Sequence, residues 1–351
     1  MIIVHCVFEM ETGGSQVLVV DLLNELCLAH TVALVIINNQ YNETLLGQLR
    51  KEVGIYYIYR KQGSYNPLPF IRLNRLLARL RPHIIHCHEY NTSRFIWVKI
   101  AKLVYTVHTI GLPVVYYHRY HLLAAVSTAV SSDVRSGCAL PVSVIYNGIR
   151  IDAFKKRTSY AAGGVWKLVQ VGRLVHGLKG QDLLLRALHR LVYQYKMTNV
   201  SLHFIGAGGS LGYLQEMVRE LRLQPWVKFK EDMERSWLFG HLLDYHLLVQ
   251  PSRSEGFGLT MLEGMAAGLP VLASAAYGPA EIIPLFPSGF LFDNGDDKGC
   301  AQQIIRICDL YSNNKIEALA AASLAVLQSK FSLQACTRQY VAAYKQLTGL
   351  Q

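Results

Sequence analysis

Residues 251–283, PSRSEGFGLTMLEGMAAGLPVLASAAYGPAEII, carry the pattern that decides the fold class of this chain. An apolar run ends near Gln250, a loop with two glycines follows, and a helical pattern begins near Leu259. Another short apolar run occupies residues 271–273. A strand, a loop, a helix and a second strand in this order predict a βαβ unit with parallel strands.

The same alternation extends along the rest of the chain. Further strands are predicted at residues 2–7, 31–37, 55–59, 84–87, 103–107, 123–126, 142–146, 166–171, 201–205, 227–230 and 246–250. Helices are predicted at residues 16–28, 70–80, 181–194, 211–221, 259–267 and 300–311, with two more within 315–347. The alternation breaks over residues 149–167, where a basic run and several small residues predict a linker. We therefore expect two α/β domains, residues 1–155 and 156–330, with a ligand cleft at the carboxyl ends of their strands.

Length and composition agree with two folded domains. The chain has 351 residues, and domains hold roughly 100–200 residues each. Hydrophobic residues make up 51% and charged residues 17%, which excludes an intrinsically disordered chain. The formal net charge is +11, and residues 1–160 carry most of it, because they hold 17 Lys and Arg against 9 Asp and Glu. Such an excess predicts an anionic partner, but no nucleic-acid reader motif is present, so we expect no nucleic acid.

The sequence also indicates a compartment. No run of about 18 apolar residues predicts a transmembrane helix, and the start MIIVHCVFEMETGG reads as a first strand rather than a signal peptide. The seven cysteines include no CxxC pair, which argues against a disulfide framework or a structural zinc site. We expect a cytoplasmic protein that meets the inner face of the membrane only peripherally.

The loop before the helix at Leu259 is a candidate phosphate site. Free N–H groups at a helix start attract a phosphate, and the glycines Gly256 and Gly258 let it approach the backbone. Glu255 and Glu263 flank this helix start, and carboxylates accept hydrogen bonds from sugar hydroxyls. The alternatives are a dipole partner of the helix for Glu255 and a solvated helix residue for Glu263.

A second loop supplies positive charge. In VQVGRLVHGLKGQ, residues 169–181, a strand ends at Gly172 and is followed by Arg173, then by Lys179 before the next helix. Two cations at the carboxyl end of a strand can clamp a diphosphate, although either one alone is typical of a protein surface.

These motifs together resemble the retaining glycosyltransferases of family 4, which have the GT-B fold. The resemblance rests on the Glu-x7-Glu pair in SEGFGLTMLEGMAAGLPV, on GRL and KG upstream, and on YNGI at residues 146–149. It covers most of the chain. It implies two Rossmann-like domains with parallel sheets facing an interdomain cleft, and a C-terminal helix, residues 331–351, that packs back on the N-terminal domain.

The resemblance also implies roles for individual residues. The C-terminal domain would bind a nucleotide-sugar, with a UDP-sugar favoured, and Glu263 would hold the ribose hydroxyls. Glu255 would face the donor sugar near the reacting centre. No metal or other cofactor would be needed. The remaining contacts to the donor would come from backbone N–H groups and from the two cations: Gly256, Phe257 and Gly258 at the sugar, Leu259 and Thr260 at the phosphates, Arg173 and Lys179 at the departing diphosphate.

The first half matches the family at fewer positions. Gly13 and Gly14 resemble its Gly-Gly loop under the donor phosphates, and His108 in VYTVHTI matches its histidine facing the donor sugar. Ser127 matches a position near the cleft, with a helix N-cap as its alternative. His86 and His88 share one face of a strand and so admit a metal site, but the surrounding RPHIIHCHEY resembles the family's usual strand, and we expect no metal there.

The sequence departs from the family pattern in two loops that concern the nucleotide. GAGGS, residues 206–210, stands where the family has an acid and a proline, and the loop at residues 229–232 lacks a glycine. The second loop touches the base in the family, so GDP and ADP remain alternatives to UDP. The short span from His108 to Ser127 predicts a more open acceptor pocket.

The acceptor side is predicted from the basic first half. In PLPFIRLNRLLARLRP, residues 67–82, Arg72, Arg75 and Arg79 lie on one helix face, which suits an anionic membrane or simply water. YYHRY, residues 116–120, adds an aromatic and basic patch. We expect a glycan or lipid-linked acceptor in cell-surface polysaccharide or glycolipid synthesis. A nucleotide-sugar epimerase of the same fold and a non-catalytic sugar-nucleotide-binding subunit are the alternatives.

Overall fold

The computed structural model describes residues 1–161, 164–230 and 233–350. Thirteen strands lie within these ranges, β1 to β13 in order: Ile2–Val7, Thr31–Asn38, Gly54–Arg60, Ile84–Cys87, Lys102–Val107, Leu122–Ala125, Val142–Val144, Trp166–Val171, Val200–Ile205, Val227–Lys230, Leu247–Gln250, Val271–Ser274 and Gly289–Phe292. Thirteen α-helices lie there too, α1 to α13: Gly14–Leu26, Glu43–Leu46, Leu68–Leu80, Thr128–Gly137, His176–Lys179, Gln181–His189, Leu211–Glu220, Arg235–His241, Leu259–Ala266, Gly278–Ile282, Asp297–Ser312, Ile316–Lys330 and Leu333–Thr348. None of the described helices combines the length and apolar character needed to cross a bilayer.

The first unit comprises Met1–Ile149 and the segment from Ser332 onward. Its seven strands are parallel, in the order β3-β2-β1-β4-β5-β6-β7. The central strands β1, β2 and β4 are almost wholly buried because helices cover both faces of such a sheet. The strand order reverses between β1 and β4, and ligands of open α/β sheets bind at this reversal.

The second unit, Arg150–Phe331, repeats the arrangement with six parallel strands. Their order is β10-β9-β8-β11-β12-β13, so the reversal here lies between β8 and β11. The unit has a core of its own in which α6 and α11 pack against the sheet. The expectation of α/β domains built on parallel sheets is therefore confirmed for both units.

Helix α13 belongs to the core of the first unit. Cys336, Tyr340 and Tyr344 are buried against the apolar side chains of β1, β2 and α1. The chain returns beside Ile149, whose carbonyl accepts a 2.9 Å hydrogen bond from the N–H of Leu333. The helix predicted within residues 331–351 is α13, Leu333–Thr348, and it lies in the first unit.

Helix α3 shows the amphipathic pattern expected from its sequence. On one face Phe70, Leu73 and Leu77 are buried, whereas on the other Arg72, Arg75 and Arg79 are exposed. The arginine face therefore points to water in the first unit.

The structure differs from the sequence expectations in several short elements. Strand β13 and the helices α2, α5, α8 and α10 were not predicted, because each has only four to seven residues and carries too short a pattern. The units change after Ile149, and part of the predicted linker is bound to the second unit. There the N–H of Arg157 donates to the carbonyl of Ala267, and the hydroxyl of Tyr160 donates to the carbonyl of Gly268. Residues 162 and 163 of that linker lie outside the described ranges.

Candidate active site

The loop after β8 is held against the chain that follows β11. Gly180 has a φ of +67°, and a Cβ at this position would lie 1.9 Å from the carbonyl oxygen of Pro251. Only glycine permits both this backbone conformation and this approach. The glycine after Lys179 therefore brings the two loops at the strand-order reversal into contact.

Two buried glutamines fix the same loop. Gln170, near the end of β8, donates from Nε2 to the carbonyl of Lys179 at 3.1 Å, and Gln181 donates to the carbonyl of Arg173 at 3.0 Å. Both side chains are at most 2% exposed. The sequence analysis did not select them, although a glutamine inside the apolar run LVQV is the signal that marks Gln170. Both candidate cations thus stand on a backbone that buried hydrogen bonds hold in place.

Lys179 and Glu255 form an ion pair. The Nζ atom lies 2.6 Å from Oε2 of Glu255, and the two side chains are 18% and 16% exposed. Arg173 lies exposed on the same loop as Lys179. The structure therefore brings a lysine and a glutamate, 76 positions apart in sequence, to one point of the sheet edge.

The loop of Gly256, Phe257 and Gly258 leads directly into α9. Gly258 is the N-cap, with a φ of +93°, and a Cβ there would collide with the side chain of Met261. Leu259 and Thr260 begin the helix, so their N–H groups have no acceptor within it. This helix start lies immediately after Glu255, as the sequence predicts.

Glu263 lies in α9 with only 7% of its surface exposed, so its interpretation as a solvated helix residue is wrong. Its Oε1 atom lies 3.7 Å from Nη2 of Arg235, an arginine at the start of α8 whose side chain is 10% exposed. Sequence reasoning did not find Arg235, because nothing in its local pattern marks a partner for Glu263. Two residues of the loop before it, Glu231 and Asp232, lie outside the described ranges.

A further ion pair supports the second unit around these loops. Arg253 donates to both carboxylate oxygens of Asp182, at 2.7 and 2.8 Å, and to the carbonyl of His176 at 2.7 Å. Burial opposes the ionisation of Asp182, but hydrogen bonds from Arg253 and Arg186 outweigh it and lower the pKa of this carboxyl group. The pair ties the start of α6 to the loop that follows β11.

In the first unit, Gly13 and Gly14 lie at the start of α1, with Gly13 as an extended N-cap. Ser127 is the N-cap of α4, and its Oγ accepts a 3.2 Å hydrogen bond from the N–H of Val130. The N-cap interpretation of Ser127 is confirmed.

His108 follows β5 at the end of a chain of three histidines. Its Nε2 atom lies 3.2 Å from Nδ1 of His88, and Nε2 of His88 lies 2.9 Å from Nδ1 of His5. His5 is fully buried, whereas His88 and His108 are partly exposed. Burial lowers the pKa of His5 to about 3 and that of His108 to about 4, so these imidazoles are neutral near pH 7.

His86 lies beside this chain without joining it. Its two ring nitrogens lie 2.6 Å from the hydroxyl of Tyr344 and 2.7 Å from that of Thr106. His5, His86 and His88 each place one ring nitrogen within 4.8 Å of the other two, a grouping that resembles a metal site. The rings of His86 and His88 stack, however, with centroids 4.5 Å apart and planes 25° apart, so their in-plane lone pairs run side by side. The arrangement suits hydrogen bonding better than metal ligation.

Comparisons with known proteins give the same fold. The model for glycosyl transferases group 1 matches residues 152–323, and the model for glycosyltransferase family 4 matches residues 12–153. The lipopolysaccharide core biosynthesis glycosyltransferase LpsD of Rhizobium meliloti is 27% identical over 279 residues, which is 77% of each chain. A D-inositol 3-phosphate glycosyltransferase of Mycolicibacterium smegmatis is 30% identical over 179 residues, 48% of this chain and 40% of that one.

Solved structures are similar to this chain over nearly its whole length. Anabaena Alr3699/HepE in complex with UDP-glucose superposes with a TM-score of 0.81 at 21% identity, covering 99% of this chain and 100% of that one. Sucrose-phosphate synthase from Thermosynechococcus elongatus gives a TM-score of 0.81 at 18% identity over the whole of both chains. These likenesses establish the GT-B fold that the sequence motifs suggested.

Proposed function

The chain belongs to the group 1 glycosyltransferases, and we propose that it transfers a sugar from a UDP-sugar to a hydroxyl of a glycan or lipid-linked acceptor, with retention at the anomeric carbon. The observation that carries the proposal is the meeting of Lys179 and Glu255 at the strand-order reversal of the second unit, beside the start of α9. A cation, a carboxylate and free N–H groups at one such point suit a diphosphate joined to a sugar.

In the proposed reaction the bond from the anomeric carbon to the diphosphate breaks, and a bond to the acceptor oxygen forms on the same face. The acceptor's proton passes to the departing diphosphate. Lys179, Arg173 and the first N–H groups of α9 stabilise the charge that grows on this leaving group. We propose that these groups take the place of a metal ion.

Glu263 is proposed to accept hydrogen bonds from the two ribose hydroxyls. Its place in α9, one turn beyond the helix start that is proposed to meet the phosphates, supports this role. Arg235, 3.7 Å away, would then hold the carboxylate in place for the nucleotide.

The choice of UDP rests on related proteins. Anabaena HepE is seen with UDP-glucose, and a relative from Streptococcus pneumoniae is named as a UDP-N-acetylglucosamine-dependent transferase subunit. Thermal unfolding with UDP-, GDP- and ADP-sugars tests this choice. We expect only the UDP-sugars to raise the midpoint, and stabilisation by a GDP- or ADP-sugar alone would reassign the base.

The reaction itself is tested by following free UDP with and without an acceptor. A transferase releases UDP much faster when the acceptor is added, and the anomeric configuration of the product, read by NMR, reports retention or inversion. An epimerase would change the donor sugar without any acceptor. A subunit that only binds the nucleotide would give neither result.

For the acceptor side we propose an anionic membrane surface. Besides the arginine face of α3, the first unit exposes two apolar side chains, Trp97 at 51% and Ile100 at 61%. The N–H of Trp97 donates to Oδ1 of Asn74 on the buried side of α3 at 2.6 Å, so the segment of Trp97 is attached to that helix. Exposed cations and exposed apolar side chains on one unit suit the interface of an anionic membrane, where a lipid-linked acceptor would be presented.

A further inference from the structure

The three histidines His5, His88 and His108 stand on neighbouring strands of the first sheet. His5 lies on β1, His88 follows β4 and His108 follows β5, and these strands are adjacent in the order β1-β4-β5. His5 and His86 are partners in the strand register, and His88 is the next residue on the same face as His86. The chain of rings therefore runs from the buried reversal point of the sheet to the partly exposed His108.

Burial also lowers the pKa of His88 well below its usual value, so all three rings are neutral near pH 7. Each contact between two rings can hold only one proton, so both hydrogen bonds must run in the same direction. In one direction, His108 donates to His88 and His88 donates to His5, which leaves the proton of His5 on Nε2. In the other direction, His5 donates from Nδ1 to His88, and His88 donates from Nδ1 to Nε2 of His108. The second arrangement leaves Nε2 of His5 without a proton.

The environment of His5 decides between the two directions. Its Nε2 atom is buried and has no hydrogen-bond partner within residues 1–161, 164–230 and 233–350. A buried N–H without an acceptor is rarer and less tolerable than a buried acceptor without a donor. The proton of His5 therefore belongs on Nδ1, and the hydrogen bonds run outward to His108.

We propose that His5 and His88 are positioning residues that hold His108 in the tautomer with its proton on Nδ1. Both nitrogens of His108 are then assigned: Nε2 accepts from His88, and Nδ1–H is left as a donor. His108 would thus offer a hydrogen bond to a substrate oxygen and would not act as a general base. This role toward the substrate rests on the proposed function, because it assumes that His108 faces the donor sugar. The assignment of the tautomer does not depend on that assumption.

The tautomer can be measured directly by NMR on the full chain labelled with ¹⁵N-histidine, with His108→Gln to assign its signals. We expect a protonated Nδ1 and an unprotonated, hydrogen-bonded Nε2 for His108. His88→Phe removes the donor and should release His108 into a mixture of tautomers. A proton on Nε2 of His108 in the wild-type protein would overturn the proposal, as would an unchanged tautomer in folded His88→Phe.

A second variant separates positioning from packing. In His88→Asn the amide nitrogen falls near the place of Nδ1 and can still donate to His108, so we expect the Nδ1 tautomer to be kept. If His88→Phe does not fold, His88→Asn and His5→Phe still test the tautomer of His108. The proposal fails if His88→Asn loses the Nδ1 tautomer, or if folded His5→Phe keeps it fully.

Kinetics then connect the tautomer with catalysis. Loss of one oriented hydrogen bond predicts a fall of about tenfold in kcat/KM for His88→Phe, largely restored in His88→Asn. An expected NMR result without any sugar transfer would contradict the proposed function and leave the tautomer assignment standing. Transfer with the other tautomer would contradict only the assignment.

Discussion

The ammonium nitrogen of Lys179 lies 2.6 Å from Oε2 of Glu255, where the strand order of the second sheet reverses. Each residue follows a central strand: Lys179 ends the short helix α5 after β8, and Glu255 lies in the loop after β11. An arriving diphosphate would compete with Glu255 for the lysine, and the carboxylate would then be free to meet a sugar hydroxyl. The pair therefore relates donor binding to the position of Glu255.

Replacing Lys179 with alanine tests this relation. We expect kcat/KM to fall by about 100- to 1000-fold, because one contact to the leaving group is lost. The free energy of unfolding should fall by about 1–3 kcal/mol, since the pair is largely buried and Glu255 loses this partner. Initial rates of UDP release and thermal unfolding measure the two effects. Arg219→Ala, at an exposed cation on α7, is the control and should keep wild-type turnover; wild-type turnover in folded Lys179→Ala would remove the lysine from the mechanism.

Gly180→Ala should disturb both stability and activity. The new Cβ would enter the space of the Pro251 carbonyl, and the left-handed backbone costs a non-glycine residue about 1–2 kcal/mol before any collision. We expect a lower unfolding midpoint and a lower kcat/KM. Gly177→Ala is a matched control in the same loop, because a Cβ there meets nothing within 4 Å. Equal effects of the two variants would show that the approach to Pro251 does not matter.

The buried histidines should make stability depend on pH. Burial lowers the pKa of His5 to about 3 and lowers that of His86 well below its usual value of 6.5. Between the folded and unfolded pKa values the unfolded chain binds more protons, so acid favours unfolding. Each such group costs up to about 1.4 kcal/mol per pH unit as the pH falls below about 6.5.

Thermal midpoints measured from neutral to acidic pH check this expectation. The decline should become shallower in His86→Gln, which removes one titrating group, and should be unchanged in His118→Gln, at an exposed histidine. An equally steep decline in the first variant would mean that His86 is already protonated in the folded chain.

Membrane attachment through α3 predicts binding to vesicles that contain anionic lipid. Sedimentation with phosphatidylglycerol vesicles at low salt should carry down the wild-type chain, and phosphatidylcholine vesicles should not. The triple variant Arg72→Gln, Arg75→Gln, Arg79→Gln should lose most of this binding, at about 1 kcal/mol per charge. A control with the same loss of charge replaces three exposed cations of the second unit: Arg222, Lys228 and Lys330. Equal losses in both variants would indicate attraction by net charge rather than by this helix.

The sequence predicted those features that depend on local pattern. The runs that became β1, β4, β8 and β10 have the predicted bounds. For β1 and β4 the reason is that buried strands of a parallel sheet are nearly continuous apolar segments. The two glycines around Phe257 predicted the start of α9 correctly, because a glycine loop before a helix is a local signal in the sequence.

Contacts between distant parts of the chain were not predictable in this way. The hydrogen bond from His5 to His88 joins residues 83 positions apart and exists because β1 lies beside β4, a neighbourhood that no local pattern specifies. The same holds for Arg235 near Glu263, whereas the return of α13 to the first unit was expected, although only from the resemblance to the family. The missed strand β13 is a different case, since it is short and begins with Gly289, a residue type that is depleted in strands.

The return of α13 has a consequence for how the chain is made. The second unit is contiguous, Arg150–Phe331, and can fold as soon as it has left the ribosome. The first unit must wait for Tyr340 and Tyr344, although its seven strands are synthesised earlier. Since the hydroxyl of Tyr344 binds His86 directly, the histidine cluster would reach its final packing only after the rest of the molecule is in place. We therefore expect the first unit, whose synthesis begins earlier, to complete its folding after the second unit.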